Sequence, residues 1–186
     1  MNIRNKWNMK HQERIKQLRA SVANPRLEKL SDYLRGGTAL DLACGLGGNS
    51  LFLAGLNYQV QAIDISDVAI EFVNEQAAKD HLNIETRIGD LTEMMDRQWL
   101  KEPFDLIVIT YYLDRKLFPI VKNLIKDSGY FFMETYFYSP HSENKQISDQ
   151  FKLQPNELLK EFKDWGILYF EENEQEGRQT IFCRKG

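Results

Sequence analysis

The chain has 186 residues, 42% hydrophobic and 27% charged, with two cysteines and a net charge of -3. At ~150 residues per domain that length predicts a single domain, 1–186, able to bury roughly 70% of the surface its unfolded form exposes. The composition excludes a disulfide mini-protein, a low-complexity tail and a collagen-like fibre. No apolar run nears the ~18 residues needed to cross a bilayer.

The charge is unevenly spread. Residues 1–35 hold nine Lys/Arg and three Asp/Glu, while 36–186 hold fifteen and twenty-four, so a basic arm precedes an acidic body. Within the arm, residues 10–34 read as helix: Ile15, Leu18 and Val22 fall at 3/4 spacing, and after Asn24-Pro25 so do Leu27, Leu30 and Leu34. Gly36-Gly37 stops that helix. Thr38–Ala43 is then a buried strand leading into a Gly-rich turn, Asn49–Leu56 a helix, Gln59–Ile63 a strand, Ser66–Lys79 a helix and Ile84–Ile88 a third strand.

Thr92–Leu100 reads as a weaker helix, and Asp105–Thr110 as the most continuous apolar strand. Leu117–Ile125 is helical, and Ser128-Gly129 turns into a fifth strand, Tyr130–Thr135. Residues 137–152 form a polar, irregular stretch, long enough for a functional loop. Pro155 opens a helix through Trp165, followed by strands Gly166–Glu171 and Gln179–Arg184. The connector between those two is too short for a crossover helix, so the pair is antiparallel. Strands alternating with helices predict an α/β fold: a doubly wound, seven-stranded, mainly parallel sheet ending in an antiparallel hairpin. Ligands of such sheets sit beyond the C-terminal strand ends, near the switch point beside the first strand.

That place is occupied by Asp41-Leu42-Ala43-Cys44-Gly45-Leu46-Gly47-Gly48-Asn49-Ser50. Glycines 45 and 47 permit a sharp turn and close approach of a ligand to main chain. A tight turn with no ligand is the bland alternative. Three residues argue otherwise. Ser50 stands where a dinucleotide fingerprint wants its third glycine, Asp41 precedes the turn, and Asp64 ends the second strand, where a carboxylate can accept from both hydroxyls of a ribose. One ribose and an acidic first turn suit a cationic, phosphate-free cofactor such as S-adenosylmethionine.

These residues resemble class I S-adenosylmethionine-dependent methyltransferases. Asp41–Gly48 is similar to the family's glycine-rich motif and Ala62-Ile63-Asp64-Ile65-Ser66 to its second-strand motif. Gly89-Asp90-Leu91 is similar to the turn after strand three, Phe104–Val108 to the fourth-strand motif and Leu124–Tyr130 to the approach to strand five. A closer resemblance is to small bacterial methyltransferases of the tellurite-resistance type. It is carried by Trp7-Asn8, Ala39–Gly45, Tyr112-Leu113-Asp114-Arg115, Phe132–Tyr136 and Leu153–Leu158. The resemblance implies a cofactor site of Asp41, Ala43, Gly45, Gly47, Asp64, Ile65, Asp90, Leu91 and Thr110. Gly45 and Gly47 would face the methionine moiety, Asp41 its amino group, Asp64 the ribose, and Ile65, Asp90 and Leu91 the adenine.

Methyl transfer from a sulfonium is an in-line displacement that needs positioning and water exclusion above all. The acceptor is expected near the ends of strands four and five and the 137–152 loop, with Tyr112, Arg115, Glu134 and His141 as candidate catalytic residues and Tyr111 and Tyr136 beside them. Each has a structural alternative: packing for one of the two consecutive tyrosines, helix capping or pairing with Glu134 for Arg115, a solvated loop position for His141. The motif that holds exocyclic amines in many nucleic-acid and protein N-methyltransferases is absent at Ile109-Thr110-Tyr111-Tyr112, which counts against base amino methylation; a small-molecule acceptor is expected. RNA bound by the basic arm is the alternative, although a nucleic-acid footprint usually makes the whole domain basic; a nicotinamide-dependent oxidoreductase is the other. Cys44 and Cys183 belong to no metal-ligand cluster and read as small buried hydrophobes, so no metal is expected. A basic N-terminus without an apolar stretch predicts a cytoplasmic location.

Overall fold

The computed structural model describes residues 2–17, 21–93, 102–139 and 147–186. The chain divides into two compact units, Met1–Lys101 and Glu102–Gly186. In the first, α1 (Ile3–Lys16) and the short α2 (Pro25–Lys29) precede β1 (Gly37–Leu42), α3 (Gly48–Gly55), β2 (Tyr58–Asp64), α4 (Asp67–Lys79) and β3 (Ile84–Ile88). β1 pairs in parallel with β2, and β2 with β3. Leu40, Leu42, Ala62 and Ile63 of the strands are buried together with Leu53 of α3 and Val73 of α4. Each large side chain of this kind contributes about 1.5–3 kcal/mol by leaving water. Ser66 caps α4, its hydroxyl accepting from the Ala69 N–H at 3.1 Å.

The second unit contains β4 (Phe104–Thr110), α5 (Leu117–Leu124), β5 (Ile125–Tyr136), α6 (Glu157–Glu161), β6 (Gly166–Asn173) and β7 (Arg178–Arg184). β4 and β5 are parallel, whereas β7 runs antiparallel to both β5 and β6. Phe162 anchors this core, with ring centroids 4.8 Å from Phe131 and 5.9 Å from Phe118. The strand order is β3-β2-β1-β4-β5-β7-β6. This is the α/β, seven-stranded, mainly parallel sheet with a C-terminal antiparallel hairpin that the alternation of elements predicts.

The strands agree with the sequence reading to within a residue or two, β5 excepted, and the helices less well. α1 begins at Ile3, seven residues before the expected start, and ends at Lys16. Val22 is 74% exposed rather than on a buried stripe; Leu18 lies outside the described residues. Asn24 starts a separate helix, since its side chain accepts from the Arg26 and Leu27 N–H groups and begins α2 with Pro25 in the first position. The expected helix 155–165 is shorter, Glu157–Glu161, and Pro155 precedes it. At the start of the expected helix 92–100, Leu91–Glu93 is a single 3-10 turn, and the rest lies outside the described residues. β5 starts earlier than expected and passes through Ser128 at φ +65°.

Candidate cofactor and acceptor sites

At the end of β1 the chain turns through Ala43 (φ +57°), Gly45 (φ +54°) and Gly47 (φ +76°) into α3. The turn is held from β2: the Cys44 N–H donates to the Ile63 carbonyl at 2.9 Å and the Gly45 N–H to Asp64 Oδ2 at 2.9 Å. Asp64 Oδ1 accepts from the Ser66 N–H at 2.9 Å. This carboxylate therefore joins the glycine turn to the start of α4. Residues 21–24 cross the other side. Ser21 Oγ donates to the Leu46 carbonyl at 2.5 Å, and the Asn24 N–H to Asn49 Oδ1 at 2.8 Å. Gly48 permits that crossing, since a Cβ there would stand 2.0 Å from the Val22 carbonyl oxygen.

Asp41 is fully buried. Its Oδ2 accepts from Ser50 Oγ at 2.6 Å, while Oδ1 has no hydrogen-bond partner among the described residues. Burial, and to a lesser degree the neighbouring Asp64, push its carboxyl up to about 7. A buried carboxylate with an unmade hydrogen bond fits an arriving cation that also donates, such as the ammonium of S-adenosylmethionine. Asp64, 6% exposed, stands at the end of β2 with its carboxylate on the turn.

Ile65 is half-buried and Leu91 buried. Asp90 Oδ1 accepts from the Thr92 N–H at 2.9 Å and hydroxyl at 2.7 Å, which closes the 3-10 turn at Leu91–Glu93. Asp41, Ala43, Gly45, Gly47, Asp64, Ile65, Asp90 and Leu91 thus all occupy the first unit, at or just beyond the C-terminal ends of β1, β2 and β3. Thr110, half-buried, ends β4 in the second unit.

The candidate acceptor residues follow β4 or lie near the end of β5. Glu134 is buried, 1% exposed. Its Oε1 accepts from the Tyr111 hydroxyl at 2.9 Å and its Oε2 from Thr180 Oγ1 at 2.8 Å. Tyr111 sits at φ +58° just past β4, so the strand alternation that would oppose Tyr111 and Tyr112 ends before them. Burial and the adjacent Glu134 push the Tyr111 phenol up to about 12. The Arg178 guanidinium lies over both the Tyr136 ring, 3.9 Å from its centroid, and the Tyr111 ring at 4.5 Å. Its buried Nη1 has no hydrogen-bond partner among the described residues.

Arg115 does not pair with Glu134. Its Nε donates to Glu157 Oε1 at 2.6 Å, and its Nη2 to Glu157 Oε2 at 2.9 Å and to the Lys152 carbonyl at 3.0 Å. Tyr112 is half-buried, and His141 lies outside the described residues. Sequence reasoning missed Arg178 and Thr180. The signal is the β5–β7 register, which sets Thr180 opposite Glu134 and Arg178 opposite Tyr136. Antiparallel pairing of β6 with β7 was legible, but not that β7 lies against β5. Cys183 is buried and Cys44 half-buried; burial pushes the Cys183 thiol up to about 12 and the Cys44 thiol well up, so neither is a ready nucleophile. Among the described residues no helix is long and apolar enough to cross a membrane.

A family model described as tellurite resistance protein TehB matches residues 7–181. A curated relative from Haemophilus influenzae, a probable S-adenosyl-L-methionine-dependent methyltransferase TehB, is 33% identical over 147 residues, which is 76% of this chain and 50% of the relative. The chain spans about half the length of the curated relatives it matches first. The crystal structure of TehB from Haemophilus influenzae superposes with a TM-score of 0.77 at 25% identity, covering 95% of this chain and 67% of that one. An S-adenosylmethionine-dependent methyltransferase from Clostridium acetobutylicum shares the fold at a TM-score of 0.67 and 17% identity, over 100% of both chains. With the family model matching residues 7–181 and the relative 33% identical over 76% of this chain, the chain belongs to the TehB family.

Proposed function

We propose that this chain binds S-adenosylmethionine at the β1–α3 turn and transfers its methyl group to a small-molecule acceptor. The observation that carries the reading is the Asp41 carboxylate, buried beside the glycine turn with Oδ1 unpartnered among the described residues. When bound, the cofactor supplies a methyl carbon that the acceptor's lone pair attacks as the C–S bond breaks, leaving a neutral thioether. Asp41 binds the ammonium, and Asp64 orients the ribose while holding the turn through Gly45 and Ser66. Asp90 and Leu91 meet the adenine edge and Ile65 its face. Thr110 belongs to the same set.

In the second unit the acceptor is held by the Tyr111–Arg178–Tyr136 stack, with Tyr112 beside it. Glu134 is a positioning residue, since both its oxygens are bound and one of them holds the Tyr111 ring. Arg115 positions residues 152–157 through Glu157. The unpartnered Nη1 of Arg178 favours an acceptor with a negative or hydrogen-bond-accepting group. The family's description makes a tellurium oxyanion one such compound. Small-molecule transfer is also supported by the inward face of α1, whose Trp7, Asn8 and His11 serve contacts within the first unit rather than an outside partner. The reading places the protein in the cytoplasm.

The test is formation of S-adenosylhomocysteine with tellurite, selenite, small thiols, amines and phenols, each set beside total RNA. Turnover with a small compound supports the reading. Turnover with RNA alone replaces the small molecule by a nucleic-acid substrate.

A further inference from the structure

Helix α1 buries one side chain, His11, 2% exposed, and its Nδ1 has no hydrogen-bond partner among the described residues. Its ring stacks on the Trp7 indole, with centroids 5.8 Å apart and planes inclined by 27°. The ring also faces the glycine turn, where its Cε1 stands 3.3 Å from the place a Gly45 Cβ would occupy. Asn8 fastens α1 in that position: its Oδ1 accepts from Ser66 Oγ at 2.6 Å and its Nδ2 donates to Asp67 Oδ1. Ser66 and Asp67 begin α4, two and three residues beyond the Asp64 carboxylate.

The charges around His11 oppose one another. Burial lowers its pKa; Asp64 at the end of β2 raises it, and Arg14 and Lys10 on α1 itself lower it again, so the ring is neutral at pH 7. A neutral imidazole has one N–H donor and one bare nitrogen acceptor. A buried ring nitrogen with no partner is a standing cost to the ligand-free protein, and a polar ligand arriving at Gly45 removes it.

We propose that His11 is a cofactor-binding residue: its Nδ1 accepts a hydrogen bond from S-adenosylmethionine where the cofactor passes Gly45, and α1 is the cover of that site. The proposal rests on the cofactor reading of the turn. The donor is a ribose hydroxyl or the α-ammonium, and two ligands separate them. S-adenosylhomocysteine carries both groups, whereas 5′-methylthioadenosine lacks the ammonium.

Calorimetry on His11→Phe, which keeps a ring against Trp7 and loses the hydrogen bond, is expected to show about tenfold weaker S-adenosylhomocysteine binding. His11→Gln, whose amide oxygen can accept, is expected to recover most of that loss. An equal loss for 5′-methylthioadenosine assigns the bond to the ribose; a loss for S-adenosylhomocysteine alone assigns it to the ammonium. His11→Phe binding both ligands as tightly as wild type overturns the proposal. Wild type provides a reading that needs no variant. The His11 Nδ1 nitrogen resonance, assigned against His81 and His141, is expected to shift on saturation with S-adenosylhomocysteine, and an unchanged resonance also overturns the proposal. A wild type that binds neither ligand removes the cofactor reading itself, a failure distinct from tight binding with a silent His11.

Discussion

Ser50 Oγ donates to Asp41 Oδ2 at 2.6 Å, on a carboxylate with no exposed surface whose other oxygen meets no described donor. The unfolded chain releases this proton near 3.8, whereas the folded protein keeps it up to about 7. The folded state therefore binds the extra proton between those values. Its stabilising effect is complete below about 4 and is lost as pH rises through 7, with a span on the order of 4 kcal/mol. Asp41→Asn keeps an acceptor for Ser50 and removes the titration. Its stability advantage over wild type in urea unfolding is expected to grow from pH 4 to pH 8, while its affinity for S-adenosylhomocysteine falls.

On the proposed reading, cofactor binding at Asp41 is expected to expel its proton. Calorimetry at pH 6.5 in two buffers of different ionisation enthalpy is expected to show up to one proton released per site in wild type. Asp41→Asn should release less.

The glycines of the turn differ in what a methyl group would meet. At Gly48 it would meet the Val22 carbonyl oxygen at 2.0 Å, and at Gly47 the Val73 Cγ2 at 2.6 Å with φ +76°. Nothing lies within 4 Å at Gly55. Gly48→Ala and Gly47→Ala are expected to cost about 1–3 kcal/mol each. Gly55→Ala, at the end of α3, is expected to be neutral or to stabilise by up to about 1 kcal/mol. Chemical denaturation of the three variants checks the order.

Tyr111 keeps its proton up to about 12 and so is no phenolate base near neutrality. Tyr111→Phe is expected to leave the pH profile of turnover unchanged below pH 10. Glu134→Ala removes an acceptor from two hydroxyls at once and is expected to destabilise by about 2 kcal/mol or more. Thermal unfolding and the two pH profiles test these together.

The Arg178 guanidinium lies over the Tyr111 and Tyr136 rings, a contact that a lysine does not reproduce. Arg178→Lys is expected to raise KM for the acceptor about tenfold, from the loss of stacking and one donor. S-adenosylhomocysteine affinity should be unchanged. A loss confined to cofactor affinity would contradict the acceptor assignment.

Much of this arrangement is legible in the amino-acid pattern, for a physical reason. Strands buried on both faces read as continuous apolar runs, so β4 ends where expected and starts only one residue early. The candidate cofactor carboxylates Asp41 and Asp64 lie at their own strand ends and need no tertiary information. α1 is legible in part, because it docks through Asn8 and His11 rather than through an apolar stripe, which periodicity cannot detect. Arg178 and Thr180 meet Tyr136 and Glu134 through pairing across more than forty residues, and Glu157 meets Arg115 across 42 residues that include α5 and β5. Such contacts depend on which strand lies beside which.

The measurement that tests the account most directly is calorimetric titration of S-adenosylhomocysteine into wild type and Asp64→Ala. Asp64 holds both the Gly45 and the Ser66 N–H groups and is the residue proposed to orient the ribose. The account predicts saturable one-site binding by wild type and a loss of at least about tenfold in the variant. No binding by wild type, or undiminished binding by Asp64→Ala, would contradict it.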